Sequence, residues 1–333
     1  MRLLLLSYVL ANSCVFGQLN VRGEMEMATD LSFSSVNQSL NESFGLTLRG
    51  HLEADYAVEP LDFRVVLDPL VRVSSTGPAA SFVEPGLTEV FALYRLDDVD
   101  LSAGLERLPL ETARLSVPFR LEPVNGLGQP SGLLGVRANV YLEGWRVRPA
   151  LLYRTKHDRL GGVVSVRRSF GDFEIEGHVL YLDGFTVGSS GSGLVGDVVV
   201  YGEAWLLTNP WDGRGALGAS GFWGDLLWTV EAAYAADAVE TVADTNGTFK
   251  AARAYQQLLG QLSLPQGEAG NLDLNVRAGL VHSVLRDSSL LQTSTSFFYT
   301  HTESDYRLTV GPTFSHAEGA TVYALRLGVT GFF

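Results

Sequence analysis

The chain has 333 residues, of which 46% are hydrophobic, and it carries a formal net charge of −13 at pH 7. This acidic balance argues against a nucleic-acid partner, because binding to a phosphate backbone needs a basic surface. The single cysteine is Cys14, so a disulfide framework and a thiolate metal site are excluded.

Residues 1–17 have the pattern of a secretory signal peptide. Arg2 supplies a positive charge, an apolar stretch follows, and Val15 and Gly17 are small residues at the spacing of a cleavage site. We therefore expect cleavage near Gly17. A buried N-terminal strand, or a lipoprotein leader ending at Cys14, are the alternatives.

The remaining chain, residues 18–333, is predicted to be one domain, because no linker rich in proline, serine or charge divides it. Its dominant pattern is alternation of apolar and polar residues, as in "LDFRVVLD", where Leu61, Phe63 and Val65 share one face. The alternating segments are about 10–14 residues long, which exceeds the usual strand and matches a tilted membrane-spanning strand. No run approaches the roughly 18 apolar residues of a membrane helix. The prediction is an all-β, transmembrane, antiparallel up-and-down β-barrel.

The number of strands follows from parity, because a closed bacterial barrel has an even number joined by short periplasmic turns and longer outside loops. Taking residues 215–236 as one kinked strand gives about 16 strands, within a range of 14–18. Taking them as two strands with a turn at Gly224-Asp225 gives an odd number and places the C-terminus on the wrong side. Outside loops are then predicted at 29–43, 74–86, 107–131, 156–161, 184–193, 237–250, 287–289 and 316–319.

The last strand carries the most specific signal. Its apolar face holds Tyr323, Leu325, Leu327, Val329 and Phe333. Here the sequence resembles the outer-membrane β-barrel families, whose chains typically end in an aromatic residue on an alternating strand. The resemblance implies a bacterial outer-membrane protein in contact with membrane lipid. It also implies that the barrel-assembly machinery recognises this strand, which pairs with the first to close the barrel.

The third outside loop, residues 107–131, is the longest, and in this respect the layout is similar to that of the general porins. In that family the third loop folds into the barrel, and its acidic residues face arginines on the wall. The resemblance implies a pore constriction that includes Arg107, Glu111, Arg114, Arg120 and Glu122. The glycine- and acid-rich segment of the family's loop is absent, so an extra strand or a hairpin on the wall is the alternative.

Several charged residues occupy inward positions on the predicted strands. Opposed fixed charges at a constriction produce a transverse field that orders permeating ions and dipolar solutes. The predicted lumen wall contains Arg49, Arg64, Arg146, Arg148, Arg154, Glu174 and Glu176. His178 lies beside these two glutamates, and a polar wall explains it better than a proton-transfer site.

The function predicted from these features is passive diffusion of small hydrophilic solutes or ions, without enzyme activity, cofactor or metal. The chain has no G-x-S-x-G and no H-E-x-x-H motif, and "GSSGSG" at 188–193 is predicted to be a flexible loop. A homotrimer is expected from the resemblance to porins. The alternatives are a surface-exposed adhesin or structural barrel, a barrel enzyme, a transporter of hydrophobic substrates and a soluble β-sandwich.

Overall fold

The computed structural model describes the backbone of residues 18–36, 39–75, 82–84, 86–108, 110, 113–116, 132–154, 159–182, 184–208, 211–243, 249–266, 270–283, 288–303, 305–317 and 320–332. The predicted signal peptide lies outside these described residues. The described residues form twenty β-strands: β1 (Gln18–Val36), β2 (Ser39–Val58), β3 (Leu61–Leu67), β4 (Leu70–Ser74), β5 (Phe82–Glu84), β6 (Leu87–Arg95), β7 (Val99–Glu106), β8 (Leu133–Leu142), β9 (Trp145–Arg154), β10 (Arg159–Phe170), β11 (Phe173–Tyr181), β12 (Phe185–Val195), β13 (Val198–Thr208), β14 (Trp211–Trp223), β15 (Leu226–Ala243), β16 (Phe249–Gln266), β17 (Gly270–Ser283), β18 (Ser288–Thr302), β19 (Tyr306–Ala317) and β20 (Ala320–Phe332).

The strands form one closed antiparallel barrel. Outside β3–β6, each strand pairs with its neighbours in the chain, and β20 pairs with β1, for example Thr330 opposite Glu26. Strands β3 and β4 continue one another across Asp68-Pro69, where proline cannot donate a ladder hydrogen bond. Strands β5 and β6 continue one another in the same way, so the described residues form an 18-strand barrel.

Eighteen strands fall within the predicted range, and two segments account for the difference from sixteen. The stretch 215–236 is not one strand, because β14 ends before Gly224-Asp225 and β15 begins after that turn. The predicted loop 184–193 is not a loop, since most of it belongs to β12. Each difference adds one strand, and the two together keep the number even. Because β12 was missed, the parity argument rejected the correct turn at Gly224-Asp225.

Strand β12 forms although glycine and serine have low strand propensity. It pairs with β11 on one side and β13 on the other, so its backbone groups are satisfied by neighbours. Gly188 is required here, because a Cβ atom at this position would collide with the indole of Trp205. The segment "GSSGSG" is therefore part of the wall, and the predicted flexible loop is wrong.

The predicted loops 29–43 and 237–250 are also largely strand. Strands β1 and β2 contain 19 and 20 residues, and β15 and β16 contain 18 residues each. A tilted strand crosses the hydrocarbon core with about 9–11 residues. These strands therefore extend the barrel wall beyond the membrane, where sequence polarity suggested loops.

One end of the barrel has short turns with a repeated sequence. Gly171, Gly196 and Gly224 adopt positive φ angles of 58°, 60° and 62°, and an aspartate follows each of them. Glycine with positive φ at the first central position is the requirement of a type II′ hairpin. We call this end, which also contains the turn 143–144, the turn end.

The two faces of the wall differ in chemistry. Large apolar side chains point outward and are exposed, such as Leu151 at 62% and Leu217 at 71%. Charged side chains point inward and are covered, such as Glu53 at 4%. Among the described residues, no helix is long and apolar enough to cross a membrane, a finding that concerns helices alone. The outward face also carries Tyr323, Leu325, Leu327 and Val329 of β20, together with Trp145, Phe173 and Tyr181 near strand ends.

Candidate functional site

The connection between β7 and β8 enters the barrel. Of its first ten residues, 107, 108, 110 and 113–116 are described, and we call 107–116 the inward segment. Leu108 and Leu110 are buried in an apolar cluster on the inner wall. The wall contributes Leu133, Ala150, Leu152, Val163, Leu180 and Trp205 to this cluster. The first part of the predicted constriction loop therefore packs against the inside of the barrel.

Two carboxylates of the wall hold the backbone of the inward segment. Glu231 on β15 is fully buried, and its carboxylate accepts hydrogen bonds from the backbone N–H groups of residues 114, 115 and 116 at 2.8, 3.0 and 2.7 Å. Glu203 on β13 accepts a bond from the N–H of Ala113 at 3.0 Å. Four successive backbone donors are thus satisfied by the wall, and hydrogen bonds to ionised acceptors are stronger than neutral ones.

Tyr201 on β13 contacts both the wall carboxylate of Glu231 and the side chain of Arg114. Its hydroxyl donates to Glu231 at 3.0 Å. The guanidinium of Arg114 lies 4.9 Å from the centroid of the Tyr201 ring, a distance at which a cation is attracted to the ring face. Arg114 is therefore positioned inside the lumen by both its backbone and its side chain.

Arg107 begins the inward segment and contacts the wall beside β7, on the neighbouring strand β6 and at the β3–β4 break. Its Nη2 lies 3.2 Å from Oδ2 of Asp68, and its Nε lies 3.4 Å from Oε1 of Glu89. Asp68 also accepts a hydrogen bond from Thr88 Oγ1 at 2.8 Å and lies 2.5 Å from Nδ1 of His51. Arg107 therefore shares two carboxylates with the wall at the break between β3 and β4.

Glu53 on β2 is the centre of a neighbouring ion-pair network. Arg22 approaches both carboxylate oxygens of Glu53, at 2.8 and 2.7 Å, and Arg64 approaches Oε1 at 2.6 Å. Arg64 also lies 3.3 Å from Glu89, the residue that Arg107 contacts. The charges on β1, β2, β3 and β6 thus form one connected network that ends on the inward segment. Arg49, also predicted for the wall, pairs with Glu26 at 3.4 Å.

A second network lies on β9, β10 and β11. Glu176 is 4% exposed, forms an ion pair with Arg148, and accepts a hydrogen bond from Nε of Arg167 at 3.0 Å. Arg167 also pairs with Glu174 at 2.8 Å. Among the described residues, Arg146 forms no ion pair within 4 Å. Its partner across the ladder is another cation, Arg167. This part of the wall therefore has more cationic than anionic side chains.

The side chain of His178 is buried in the wall and fully surrounded by wall residues. Its Nδ1 and Nε2 lie 2.9 and 3.1 Å from the hydroxyls of Ser165 and Ser190. Its ring stacks on Trp205 at 5.0 Å with an interplanar angle of 18°, in the space that Gly188 leaves. With both nitrogens partnered and the ring covered, His178 fits a polar wall.

The wall on β16–β19 is different, because its inward side chains are mostly uncharged amides and hydroxyls. Asp273 is an exception, and it accepts hydrogen bonds from Ser263 and Asn271 at 2.5 and 2.8 Å. Arg307 on β19 is a second charged exception, and it lies over the ring of Phe332. Other inward positions in this part hold Gln257, Gln261, Asn275, Ser294, Ser296, Thr309 and Thr313, together with the apolar Leu259 and Phe298. Among the described side chains, the lumen is thus less densely charged on β16–β19 than on β1–β11.

The predicted site residues divide into three groups. Arg107 and Arg114 lie in the inward segment, and the wall residues Arg49, Arg64, Arg146, Arg148, Glu174 and Glu176 lie on inward positions. Three predicted constriction residues, Glu111, Arg120 and Glu122, lie outside the described residues. For Arg154 only the backbone is described, and Phe333 is not described.

Sequence reasoning missed the anchors Glu203 and Glu231 and the apolar cluster. Glu203 is the one acidic residue of β13, and Glu231 stands in an apolar stretch of β15, inside the segment taken as one kinked strand. A signal for the cluster was present, since Leu152 and Leu180 share inward faces with Arg148 and Glu176. Apolar residues on a lumen face indicate that something covers them.

Among the described residues, no group of three or more histidine, cysteine or acidic side chains could hold a metal ion. No family model matches the chain, and no curated protein sequence matches it.

Solved structures do resemble it. A BenF-like porin from Pseudomonas fluorescens Pf-5 superposes with a TM-score of 0.61 at 10% identity, over 94% of this chain and 98% of the other. OccK5 (OpdH) of Pseudomonas aeruginosa gives 0.60 at 10% identity over the same shares. OpdL of the same species gives 0.58 at 14% identity, over 95% and 99%. The chain therefore has the fold of a porin-type outer-membrane β-barrel.

Proposed function

We propose that the protein is an outer-membrane channel through which small hydrophilic solutes or ions diffuse passively. The observation that carries this proposal is the inward segment, whose backbone is bound to Glu203 and Glu231 inside a barrel with a polar inner face. Such a segment narrows the passage and places Arg107 and Arg114 beside permeating solutes. Fixed charges at a narrow point have their largest effect on selectivity.

The proposal includes the placement of the chain in the membrane. Residues 1–17 are a signal peptide removed near Gly17, and residues 18–333 form the barrel. The turn end faces the periplasm, because bacterial barrels have short periplasmic turns. The barrel-assembly machinery and, in a homotrimer, further copies of the chain are proposed partners. No covalent chemistry or cofactor is part of the proposed function.

The constriction residues follow from the same proposal. Arg107 and Arg114 act with Glu111, Arg120 and Glu122 of the same loop, and the wall charges Arg49, Arg64, Arg146, Arg148, Arg154, Glu174 and Glu176 face them. The paired arrangement of most of the described charges supports a field across the lumen rather than a single-sign surface.

The test is reconstitution of the purified protein in planar lipid bilayers with single-channel recording. We expect stepwise, ohmic conductance that scales with salt concentration. Liposome swelling with neutral sugars of increasing size would then give the size limit for solutes. Silence in both assays at high protein concentration, with the protein shown to be folded by its heat-modifiable gel migration, would contradict a channel and favour the adhesin.

A further inference from the structure

The outward face of β10 carries a cation near the turn end. Arg168 is exposed, and its guanidinium carbon lies 4.5 Å from the centroid of the Trp145 ring and 4.7 Å from that of Phe170. Among the described residues it forms no ion pair. A guanidinium contacts aromatic rings through its flat faces, and its N–H donors point outward in its own plane. The two rings therefore position Arg168, and its N–H donors remain available for a ligand.

A cleft surrounds this side chain at the rim of the barrel. It has a volume of about 390 Å³ and spans the rim of the wall. Its lining includes Arg168, Trp145 and Ser169, the turn residues Asp98, Glu143 and Gly144, and the inward-facing Arg146, Arg167 and Glu174, of which Arg167 and Glu174 pair with each other. Charged side chains on the lipid face are costly at the bilayer midplane, and the cost falls toward the interface. The cleft thus places a cation at headgroup depth.

A larger apolar groove lies farther along the same strands. Its volume is about 800 Å³, and it crosses the outward face from the start of β3 to β11. Small residues form its floor, namely Ala92, Ala103, Ala138 and Gly162, and larger ones such as Leu151, Val164 and Tyr181 form its rim. At about 3.3 Å per residue, Val164 and Gly162 lie roughly 13–20 Å along β10 from Arg168, which is within the length of an acyl chain.

We propose that this face is a binding site for a glycerophospholipid, with the phosphate on Arg168 and one acyl chain in the apolar groove. A guanidinium offers two parallel N–H donors that match the oxygens of a phosphodiester. A dry groove with a small-residue floor accepts a hydrocarbon chain. The site lies on the outside of the barrel and depends on the proposed membrane placement, in which the turn end contacts the periplasmic leaflet, but not on the pore.

The test measures lipid retained by the intact protein. Purified protein is stripped of lipid in detergent, incubated with phosphatidylglycerol, and examined by native mass spectrometry. We expect one bound lipid per chain for the wild type and at least a tenfold loss of affinity for Arg168→Gln. The matched control is Arg307→Gln, which removes another arginine on an aromatic ring, 5.2 Å from the Phe332 centroid, but on a strand that does not line the groove. It should bind as the wild type does.

The groove is tested separately with Gly162→Val. An added Cβ atom at this position meets only a backbone oxygen at 3.7 Å, so the wall accommodates the change while the groove becomes shallower. Long-chain phosphatidylglycerol should bind more weakly, whereas a short-chain form should be unaffected. Equal retention by the wild type, Arg168→Gln and Gly162→Val would overturn the proposal. If Gly162→Val changes the oligomeric state and leaves lipid retention unchanged, the lipid proposal is overturned, and the groove instead binds a second copy of the chain.

Failure here can be distinguished from failure of the channel. Arg168→Gln should conduct as the wild type does, since the residue faces away from the lumen. A silent wild type that still binds lipid would contradict the channel alone.

Discussion

The carboxylate of Glu231 accepts a hydrogen bond from the backbone N–H of Ser116 at 2.7 Å, although the two residues are 115 positions apart in the chain. Two further backbone N–H groups and the hydroxyl of Tyr201 bind the same carboxylate. This contact joins the β7–β8 connection to the far side of the barrel.

The first prediction concerns Glu231 itself. In Glu231→Gln, an amide replaces the carboxylate, so only one oxygen still accepts and an N–H₂ group faces backbone donors. Each hydrogen bond to a charged group contributes about 1.5–3 kcal/mol, so the inward segment should detach from the wall. We expect larger single-channel conductance with more open-channel noise. Tyr201→Phe is the control, because it removes one bond and leaves the backbone contacts in place. Unchanged traces for Glu231→Gln would show that other contacts hold the segment.

The second prediction concerns selectivity. Arg107→Ser leaves Asp68 and Glu89 without this cation, so the local charge becomes more negative. A unit charge in a narrow passage changes ion partition by about 1 kcal/mol, roughly fivefold. The reversal potential across a salt gradient should move toward cation preference. Arg146→Ser is the comparison, since it changes the charge of the wall alone. A shift with Arg146→Ser but not with Arg107→Ser would mean that the wall sets the filter.

The third prediction concerns the stability of the wall. Glu176→Gln leaves Arg148 and Arg167 without their shared carboxylate, at a cost of about 1–3 kcal/mol for the lost partners of a buried group. The temperature at which the folded band disappears on gels should fall. Glu174→Gln is the matched control, because within the described part of the chain Glu174 pairs with Arg167 alone, and its side chain is 36% exposed. An equal effect of the two substitutions would argue against a special role for the buried carboxylate.

The fourth prediction concerns assembly through the last strand. Deletion of Phe333, or Phe333→Asp, should reduce the amount of barrel in the membrane, because the apolar face of β20 is the proposed recognition signal. The conductance of the barrels that do assemble should be unchanged. Ala324→Ser, on the inward face of the same strand, should assemble normally. If the deletion variant reaches normal levels in the membrane, Phe333 is not needed for recognition by the assembly machinery.

The fifth prediction concerns orientation. Single cysteines at Thr245 or Ser35 should react with a membrane-impermeant maleimide on intact cells, and one at Asp98 should not. Thr245 lies in the connection between β15 and β16, Ser35 lies near the end of β1, and Asp98 lies beside the start of β7 at the turn end. Labelling at Asp98 but not at the other two would reverse the topology, and with it the leaflet assigned to Arg168.

The alternating pattern was sufficient for the fold class because strand side chains point to opposite faces with a period of two. Leu61, Phe63 and Val65 on one face, and Asp62 and Arg64 on the other, require an environment that is apolar outside and polar inside. The same pattern assigned Arg148 and Glu176 to the lumen. It failed at β12, since Gly188 and its serine neighbours have weak strand preference and form a strand only because β11 and β13 supply hydrogen bonds on both sides.

By itself, the amino-acid sequence determined the all-β barrel architecture and the inward or outward face of residues on the regularly alternating strands, because both follow from local periodicity and from the need to satisfy backbone groups in lipid. Only the tertiary structure decided which charges meet. Ala113 to Ser116 show no periodicity that selects Glu203 and Glu231, because contacts between residues 90 to 117 positions apart depend on where closure of the barrel places β13 and β15. Local propensity carries no information at that separation.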